Sequence, residues 1–272
     1  MGLRVNTNVA AINTARVLRR STLELNKSLE RLSSGLRINR AADDAAGLAI
    51  AESMRSIVEG ARVAQRNSQD GINLVQTAEG ALSESTNALQ RIRELAVQAA
   101  NGTYNDGNRA SLDAEVQQLL EQIDDIAQDT QFAGIYLLSA PQTVTLQRGA
   151  EVSQTMEIAI SGAQTSDLGV NGISISTMAQ AVSVISTVDA ALAKVNGLRS
   201  HFGATQNRLE FTVRVLAIQE ENTSASESYI RDADIARETV TFTRNQILVS
   251  AGTSVLAQAN IIPQTALQLL GG

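Results

Sequence analysis

Apolar residues recur along most of this chain at the spacing of helix-packing seams. Near the N-terminus the steps are seven, four, three and four residues, at Leu18, Leu25, Leu29, Leu32 and Leu36. Such steps are typical of a coiled-coil seam. A second stripe runs from Ile50 to Ala96. It predicts a single helix over about 45–100, roughly 80 Å long at the α-helical rise. The pattern therefore favours long helices that bury narrow faces.

The same spacing continues towards the C-terminus. The Asn- and Gly-rich run 101–108 predicts a break, because both residue types tolerate turn dihedrals. Steps of four and three then predict a helix from Leu112 to Ile126, and another over Ile185–Leu216. A last helix is expected from about Ile235, with Pro263 bending or ending it.

Between roughly 132 and 177 the period changes from helical to twofold. Residues 143–147 and 156–160 alternate apolar and polar, as half-buried strands do. Ile173 and Ile175 repeat that period, and glycines separate these segments. We therefore expect a mainly α chain with a small β region.

The composition fits thin helical packing and argues against catalysis. Aromatic residues make up 3% of the chain, and there is no Trp, no Cys and a single histidine, His201. Disulfides, thiolate ligands and poly-His zinc sites are thereby excluded. No phosphate-cradling, dinucleotide-binding or nucleophile-elbow motif occurs. The carboxylate pairs at 43–44, 124–125 and 232–234 lie in no loop that gathers cation ligands, and those at 43–44 and 232–234 are interpreted as helix caps or solvated faces. We predict no enzyme, no metal and no cofactor.

Positive charge is concentrated at the N-terminal end of the chain. Residues 1–42 contain eight basic and two acidic residues, although the whole chain carries −6. Leucines interleave these basic residues and aromatics do not, so we predict no nucleic-acid binding. There is no run of about 18 apolar residues, and hence no expected membrane span. No apolar core of a cleavable secretory signal follows the N-terminus.

The segment 245–272 contains no charged residue and is rich in Ile, Leu and Val. One interpretation is a disordered terminus. The alternative is a helix that other copies or a partner must cover.

Several long runs, in the same order at both ends, resemble bacterial flagellin, the filament-forming subunit. The matching runs are 6–8, 29–39, 42–50, 90–98, 130–132, 198–200, 203–204, 206–208, 230–234 and 251–260. The resemblance implies a long antiparallel helical rod or coiled-coil bundle with paired N- and C-terminal helices and a small β-hairpin region. Only about 40 residues separate Tyr136 from the returning helix. The large variable outer domains of longer flagellins are therefore expected to be absent.

The resemblance also implies how the chain divides and assembles. Segments 1–42 and 231–272 would form an inner-tube domain, and 43–230 a helical bundle with β structure at about 132–177. The subunit would polymerise head-to-tail into a helical homopolymer. The terminal segments would be largely disordered before assembly. The residues expected to contribute to assembly are Leu29, Leu32, Leu36, Leu248, Val255, Leu256 and Ile262.

Partners and location follow from the same resemblance. The chain would leave the cell unfolded through the flagellar export apparatus, without a cleavable signal, and function in the extracellular filament. An export chaperone would bind about 231–272, and filament cap and hook-junction proteins would adjoin the polymer. Arg91, Leu95 and Glu115 align with contacts of the animal Toll-like receptor for flagellin. Their alternative roles are packing for Leu95 and inter-subunit salt bridges for the other two.

Two other functions stay open at the level of sequence. A hook–filament junction protein shares flagellin-like N-terminal helices, but the run 251–260 favours flagellin. A secreted helical protein that binds a host target would stay monomeric, whereas a flagellin would polymerise.

Overall fold

A computed structural model describes residues 7–270, without the side chains at 262–264 and 266–270. Helices and strands within that range are α1 (Val9–Ser34), α2 (Ala45–Ala99), α3 (Asp106–Asp129), β1 (Gln131–Phe132), β2 (Ile135–Tyr136), β3 (Gln142–Gln147), β4 (Thr155–Ile160), α4 (Thr165–Leu168), α5 (Met178–Arg231) and α6 (Ile235–Leu270). The predicted mainly α chain with long helices and a small β region is confirmed.

The chain separates into two compact units. The terminal unit combines residues up to 55 with those from 222 onward, and the middle unit spans 56–221. These limits fall inside α2 and α5, and the domain limits at 42/43 and 230/231 stay a prediction. The first turns of α2 belong to the terminal unit, where Glu52 pairs with Arg231 at 3.1 Å (Oε1 to Nη1).

Short polar caps begin and end the helices of the terminal unit. Asn8 Oδ1 accepts the Ala11 N–H at 3.0 Å and caps α1. Gly35 ends α1 in the left-handed conformation, at φ 74°, where a side chain would be strained. Asp44 accepts the Gly47 N–H at 2.8 Å and Asp234 the Arg237 N–H at 3.1 Å, which starts α2 and α6. Helix capping by these two carboxylates is as predicted.

Helices α2, α3 and α5 form the core of the middle unit together with β4. Helix α2 contributes the stripe predicted from the sequence, and Leu82, Leu89 and Ile92 are fully buried. They cluster with Ile123 of α3 and Phe202 of α5. Because most of these side chains are aliphatic, the layer between the helices is thin, which agrees with the scarcity of aromatic residues.

The β region consists of two antiparallel hairpins. Strands β1 and β2 pair Phe132 with Ile135, and β3 pairs with β4 from Gln142↔Ile160 to Gln147↔Thr155. Alternate β4 residues are buried, as the twofold period predicts.

The predicted third strand-like segment at Ile173 and Ile175 is not a strand. Its backbone instead bonds to side chains of α3. Ile175 N–H donates to Asp113 Oδ1 at 2.6 Å, and Ile173 C=O accepts from Gln117 Nε2 at 2.9 Å. The alternating pattern is therefore explained by an extended segment anchored on a helix, with Ile175 buried.

Two features of α5 and α6 differ from the sequence-based expectations. Helix α5 is long and apolar enough over 18 residues to cross a membrane, by length and composition alone. Its Val184, Val188 and Val195 pack in the core of the middle unit, and 28% of the 18-residue stretch is buried. Helix α6 continues through Pro263 to Leu270, so Pro263 does not end it.

Candidate assembly and recognition surfaces

Helices α1 and α6 pack against each other as an antiparallel pair in the terminal unit. Asn8 Nδ2 donates to Ala259 O at 2.7 Å near one end. Arg31 lies 3.7 Å from Glu238 (Nη1 to Oε2) near the other. Beyond it, Leu36 forms an isolated antiparallel β-bridge with Asp232. Polar contacts therefore join the start of α1 to the later part of α6, and the end of α1 to the start of α6.

The seam of this pair has a heptad spacing that includes small and polar residues. On α1 the positions facing inward are Leu18, Ser21, Leu25, Ser28 and Leu32. On α6 they are Glu238, Phe242, Asn245, Val249, Gly252, Leu256 and Ala259. Both rows step by three and four, and small residues such as Ser28 and Gly252 allow the helix backbones to approach closely. A search for leucines alone misses Ser21 and Ser28.

The structure separates the predicted assembly residues Leu29, Leu32 and Leu36 into two groups. Leu32 and Leu36 are half-buried, whereas Leu29 is 55% exposed and faces away from α6. The prediction that Leu29 shares the seam with Leu18 and Leu25 is therefore wrong. Helical geometry explains this, since Ser28 occupies the inward position between Leu25 and Leu32.

The predicted assembly residues of α6 are also divided. Leu256 is half-buried against α1, and Leu248 and Val255 are exposed at 47% and 55%. Ile262 lies outside the described side chains. The exposed pair is seven residues apart and lies on one face of the helix.

Both terminal helices expose further large apolar side chains. On α1 these are Val9, Ile12, Val17 and Leu23, and on α6 they are Ile235, Val240, Ile247 and Ile261. Fully burying one such side chain contributes about 1.5–3 kcal/mol. So many exposed side chains on one helix pair form a surface that can bind another apolar surface.

The basic residues of the N-terminal segment have two kinds of environment. Lys27 pairs with Asp43 at 2.8 Å and Arg40 with Glu30 at 2.8 Å. Arg19 and Arg20 are exposed and pair with no carboxylate among the described residues. Nearby carboxylates therefore neutralise part of the positive charge. The charges of Arg19 and Arg20, in the middle of α1, stay exposed.

The predicted recognition residues lie in the middle unit at the contact of α2 with α3. Arg91 Nε donates to Glu115 Oε1 at 2.9 Å, and its Nη1 donates to Glu94 at 3.2 Å. The hydrogen bond to Glu115 is the main cause of a raised pKa of the Arg91 guanidinium, and the hydrogen bond to Glu94 adds to it. Arg91 and Glu115 thus form an exposed polar pair.

Leu95 differs from the other two predicted recognition residues. Its side chain is 1% exposed and packs in the core of the middle unit. A direct contact between Leu95 and another protein is therefore not available in this structure. Leu95 follows Arg91 by about one helical turn of α2.

Further charged pairs fix the antiparallel register of α2 and α5. Arg93 lies 2.7 Å from Asp189 (Nε to Oδ1), and Arg62 lies 2.7 Å from Glu220 (Nε to Oε1). The Arg62 hydrogen bond lowers the pKa of Glu220, and Gln65 adds to the effect, while burial opposes it. Because these pairs are solvent-exposed, they contribute more to register than to stability.

Arg109 is a structural residue that the sequence analysis did not identify. Although charged, it is only 7% exposed. Its Nε donates to Ala99 O at 2.9 Å and its Nη2 to Asn101 O at 3.2 Å. It therefore satisfies free carbonyls at the C-terminal end of α2. Arg109 directly follows the Asn- and Gly-rich run 101–108, and this position is the one sequence feature that points to a role at the end of α2.

The histidine and the remaining carboxylate pairs have structural environments. His201 is exposed beside Phe202. Asp124 accepts both the N–H and the hydroxyl of Thr165 at 2.8 Å. Asp232 accepts the Ser228 hydroxyl at 2.6 Å. Over residues 7–270, no group of three or more His, Cys, Asp or Glu side chains could hold a metal.

Comparison with known proteins identifies the family of this chain. Residues 5–143 match the family model of the bacterial flagellin N-terminal helical region, and residues 185–270 match that of the C-terminal helical region. The chain belongs to the bacterial flagellin family. It is a structural subunit of a flagellar filament, and its short length fits a form without large outer domains. The family is structural.

Full-length relatives support this assignment. A flagellin of Halalkalibacterium halodurans is 46% identical, and the "Flagellar filament 31.3 kDa core protein" of Treponema maltophilum is 44% identical. Each comparison covers 98% of this chain and 99% of the relative. The Bacillus subtilis flagellin is 41% identical, over 98% of this chain and all of the relative.

Solved structures agree with the fold. The Bacillus cereus flagellin structure is 34% identical, with a TM-score of 0.50, over 60% of this chain and 94% of that one. A putative flagellar hook-associated protein of Vibrio parahaemolyticus reaches a TM-score of 0.59 at 14% identity, over 70% and 99% of the two chains. That second likeness concerns the fold alone.

Proposed function

We propose that this flagellin polymerises head-to-tail through the apolar faces that α1 and α6 leave exposed. The single observation that carries the proposal is the set of exposed large apolar side chains on the paired terminal helices. A head-to-tail contact repeated along a screw axis does not close, so it generates a filament. The absence of charge from 245 onward fits burial in a polymer, because burying an unpaired charge is costly.

Leu29, Leu248 and Val255 are assigned to contacts between subunits because they are exposed. Leu32 and Leu256 are assigned to the contact between α1 and α6 of one subunit, and Leu36 to the bridge with Asp232, since all three are half-buried. Ile262 is proposed as an assembly residue on the sequence pattern alone. On this division, Leu29, Leu248 and Val255 become buried, and so stabilise the filament, only after assembly.

Seeded polymerisation followed by electron microscopy tests the proposal. The wild-type chain should extend short filament seeds, and Val255→Asp should not, because it would bury an unpaired carboxylate. Val152→Asp is the matched control, since Val152 is 96% exposed in the middle unit and lies outside both terminal helices. Filaments of Val255→Asp at wild-type yield would overturn the assignment of this face.

Deletion of residues 245–272 gives a second test. Polymerisation should be lost, while the circular dichroism signal of the middle-unit helices should remain. Filaments formed by the truncated chain would exclude the proposed role of the segment. A secreted host-binding protein would remain monomeric with seeds at any concentration. A hook–filament junction protein shares this fold, but the full-length relatives named above are filament proteins.

We further propose that the chain is exported unfolded through the flagellar export apparatus without a cleavable signal. An export chaperone would hold about 231–272, whose exposed apolar residues on α6 need cover before assembly. Cap and hook-junction proteins would bind the two ends of the polymer. Pull-down of a chaperone by the isolated 231–272 peptide, compared with the same peptide carrying Leu248→Asp and Val255→Asp, tests the chaperone contact.

Recognition by the animal Toll-like receptor is proposed to use the exposed Arg91–Glu115 pair. Leu95 would act by holding α2 in place, because its own side chain is buried. Receptor activation by monomeric protein should fall on Arg91→Ala substitution without a change in thermal unfolding. Unchanged activation would exclude this role.

A further inference from the structure

Three Asn-Gly sequences occur in the chain, at 101–102, 171–172 and 196–197. Asn-Gly is the sequence in which the asparagine amide is most readily lost, because glycine has no side chain to hinder attack by its backbone nitrogen. The reaction also needs a backbone that can bring that nitrogen to the asparagine Cγ. The three sequences lie in three different backbone environments, which provides an internal comparison.

Asn171 and Gly172 lie in the exposed turn between α4 and α5. The Asn171 side chain makes no hydrogen bond to any part of the chain that the structure describes, and neither does the Gly172 N–H. Gly172 has a φ of 69°, a conformation that glycine adopts without strain. The nucleophile and the electrophile are therefore both free and exposed to water.

We propose that Asn171 is a site of spontaneous deamidation. The Gly172 nitrogen loses its proton and attacks Cγ of Asn171, which forms a five-membered succinimide and releases ammonia. Water then opens the ring at either carbonyl. One opening gives aspartate, and the other gives isoaspartate, in which the main chain passes through the former side chain. Each product carries one new negative charge, and no oxidant or metal takes part.

Asn101 has the same sequence context but a restrained geometry. Its Oδ1 accepts the Thr103 N–H at 3.1 Å, so the side-chain carbonyl is already bonded. Its backbone oxygen accepts from Tyr104 N–H at 3.3 Å and from Arg109 Nη2 at 3.2 Å. Rotation towards the succinimide geometry must break these contacts, and the reaction should be slower than at Asn171.

Asn196 is the most protected of the three. It lies inside α5, where the Gly197 N–H belongs to the helical hydrogen-bond ladder. Helical backbone geometry also keeps that nitrogen away from the Asn196 Cγ. Deamidation there requires local opening of the helix, which has its own free-energy cost.

Modification at Asn171 would strain an anchored loop. Val170 and Ile175 on its two sides are fully buried, and Val170 N–H donates to Thr165 O at 2.9 Å. Isoaspartate lengthens the main chain by one methylene between these anchors. The modified chain should consequently unfold at a lower temperature than the unmodified one, because packing at Val170 or Ile175 must adjust.

Peptide mass spectrometry of the full chain, aged for days at mildly alkaline pH, tests the proposal. The peptide containing Asn171 should gain about one dalton, with both aspartate and isoaspartate products, at least about tenfold faster than the peptide containing Asn196. Asn101 should fall between them. In guanidinium chloride the three rates should converge, because only the fold distinguishes them.

Asn171→Gln provides the matched variant, since its longer side chain does not form the five-membered ring readily. It should lose the modification at 171 and leave the other two rates unchanged. Equal rates at Asn171 and Asn196 in the folded chain, or faster reaction at Asn101 than at Asn171, would overturn the proposal.

Discussion

Lys27 Nζ lies 2.8 Å from Asp43 Oδ1, so an ion pair joins α1 to the connector that precedes α2. This hydrogen bond is the main reason that the pKa of Asp43 is below the ordinary value for an aspartate. The N–H groups of Arg40 and Asn39 lower the pKa further, and burial opposes them. A carboxylate with a lowered pKa stabilises the folded state above its unfolded-state pKa, and that contribution is lost as the pH falls through the folded-state pKa.

We expect Lys27→Met to make assembled filaments more sensitive to acid. The substitution removes the charge that favours ionised Asp43, so the Asp43 pKa rises towards its ordinary value. Filament dissociation, measured by sedimentation as the pH is lowered, should then begin at a higher pH. Lys194→Met in α5 is the control, because Lys194 donates to the backbone oxygens of Asp167 and Leu168 and to no carboxylate. Equal shifts in both variants would contradict the assignment.

Arg109→Met should destabilise the middle unit. The change removes the donor to the buried Ala99 carbonyl, and a buried acceptor left unpaired costs about 1–3 kcal/mol. Urea unfolding followed by circular dichroism measures the loss. Arg93→Met removes an exposed pair with Asp189 and should cost only about 0.2–1 kcal/mol. An Arg109 variant as stable as the Arg93 variant would refute the capping role.

Periodicity in the sequence predicts the long helices but not all of their contacts. The stripe from Ile72 to Ala96 identifies the core face of α2, because burial of an aliphatic face determines that helix. The α1 seam is less predictable, since Ser21 and Ser28 occupy inward positions and Leu29 does not. Small side chains at these positions allow the two helix backbones to approach closely. A pattern of apolar residues does not identify such positions, because serine is not apolar.

The sequence also does not show which partners individual polar side chains contact. Arg109 and Asp113 have ordinary surface-residue identities, yet one caps α2 and the other anchors Ile175. Both roles depend on which helix end or loop the fold brings nearby. The alternating pattern at Ile173 and Ile175 consequently predicts a strand, because sequence alone does not distinguish a strand partner from a helix side chain.

Substitutions at Leu95 and Arg91 should separate packing from recognition. Leu95→Ala creates a cavity in the core and should lower the unfolding free energy by about 2–5 kcal/mol. Arg91→Ala should leave stability nearly unchanged, because its pairs with Glu94 and Glu115 are exposed. Val97→Ala, on the same helix and 50% exposed, is the control for loss of an apolar side chain. A stable Leu95→Ala variant would contradict the packing role.

Gly252 should be the most size-sensitive position of the contact between α1 and α6. A Cβ added there would lie 3.2 Å from Leu18 Cδ1, close enough to require a small shift of that methyl group. Gly252→Ala should therefore be tolerated, since alanine also favours the helix by about 1 kcal/mol over glycine. Gly252→Leu should separate the helices and prevent filament extension from seeds, as seen by electron microscopy. Gly80→Leu is the control, because an added Cβ at Gly80 meets nothing within 4 Å. Filaments of Gly252→Leu with unchanged hydrogen-exchange protection in α1 would show that this close contact is not needed for assembly.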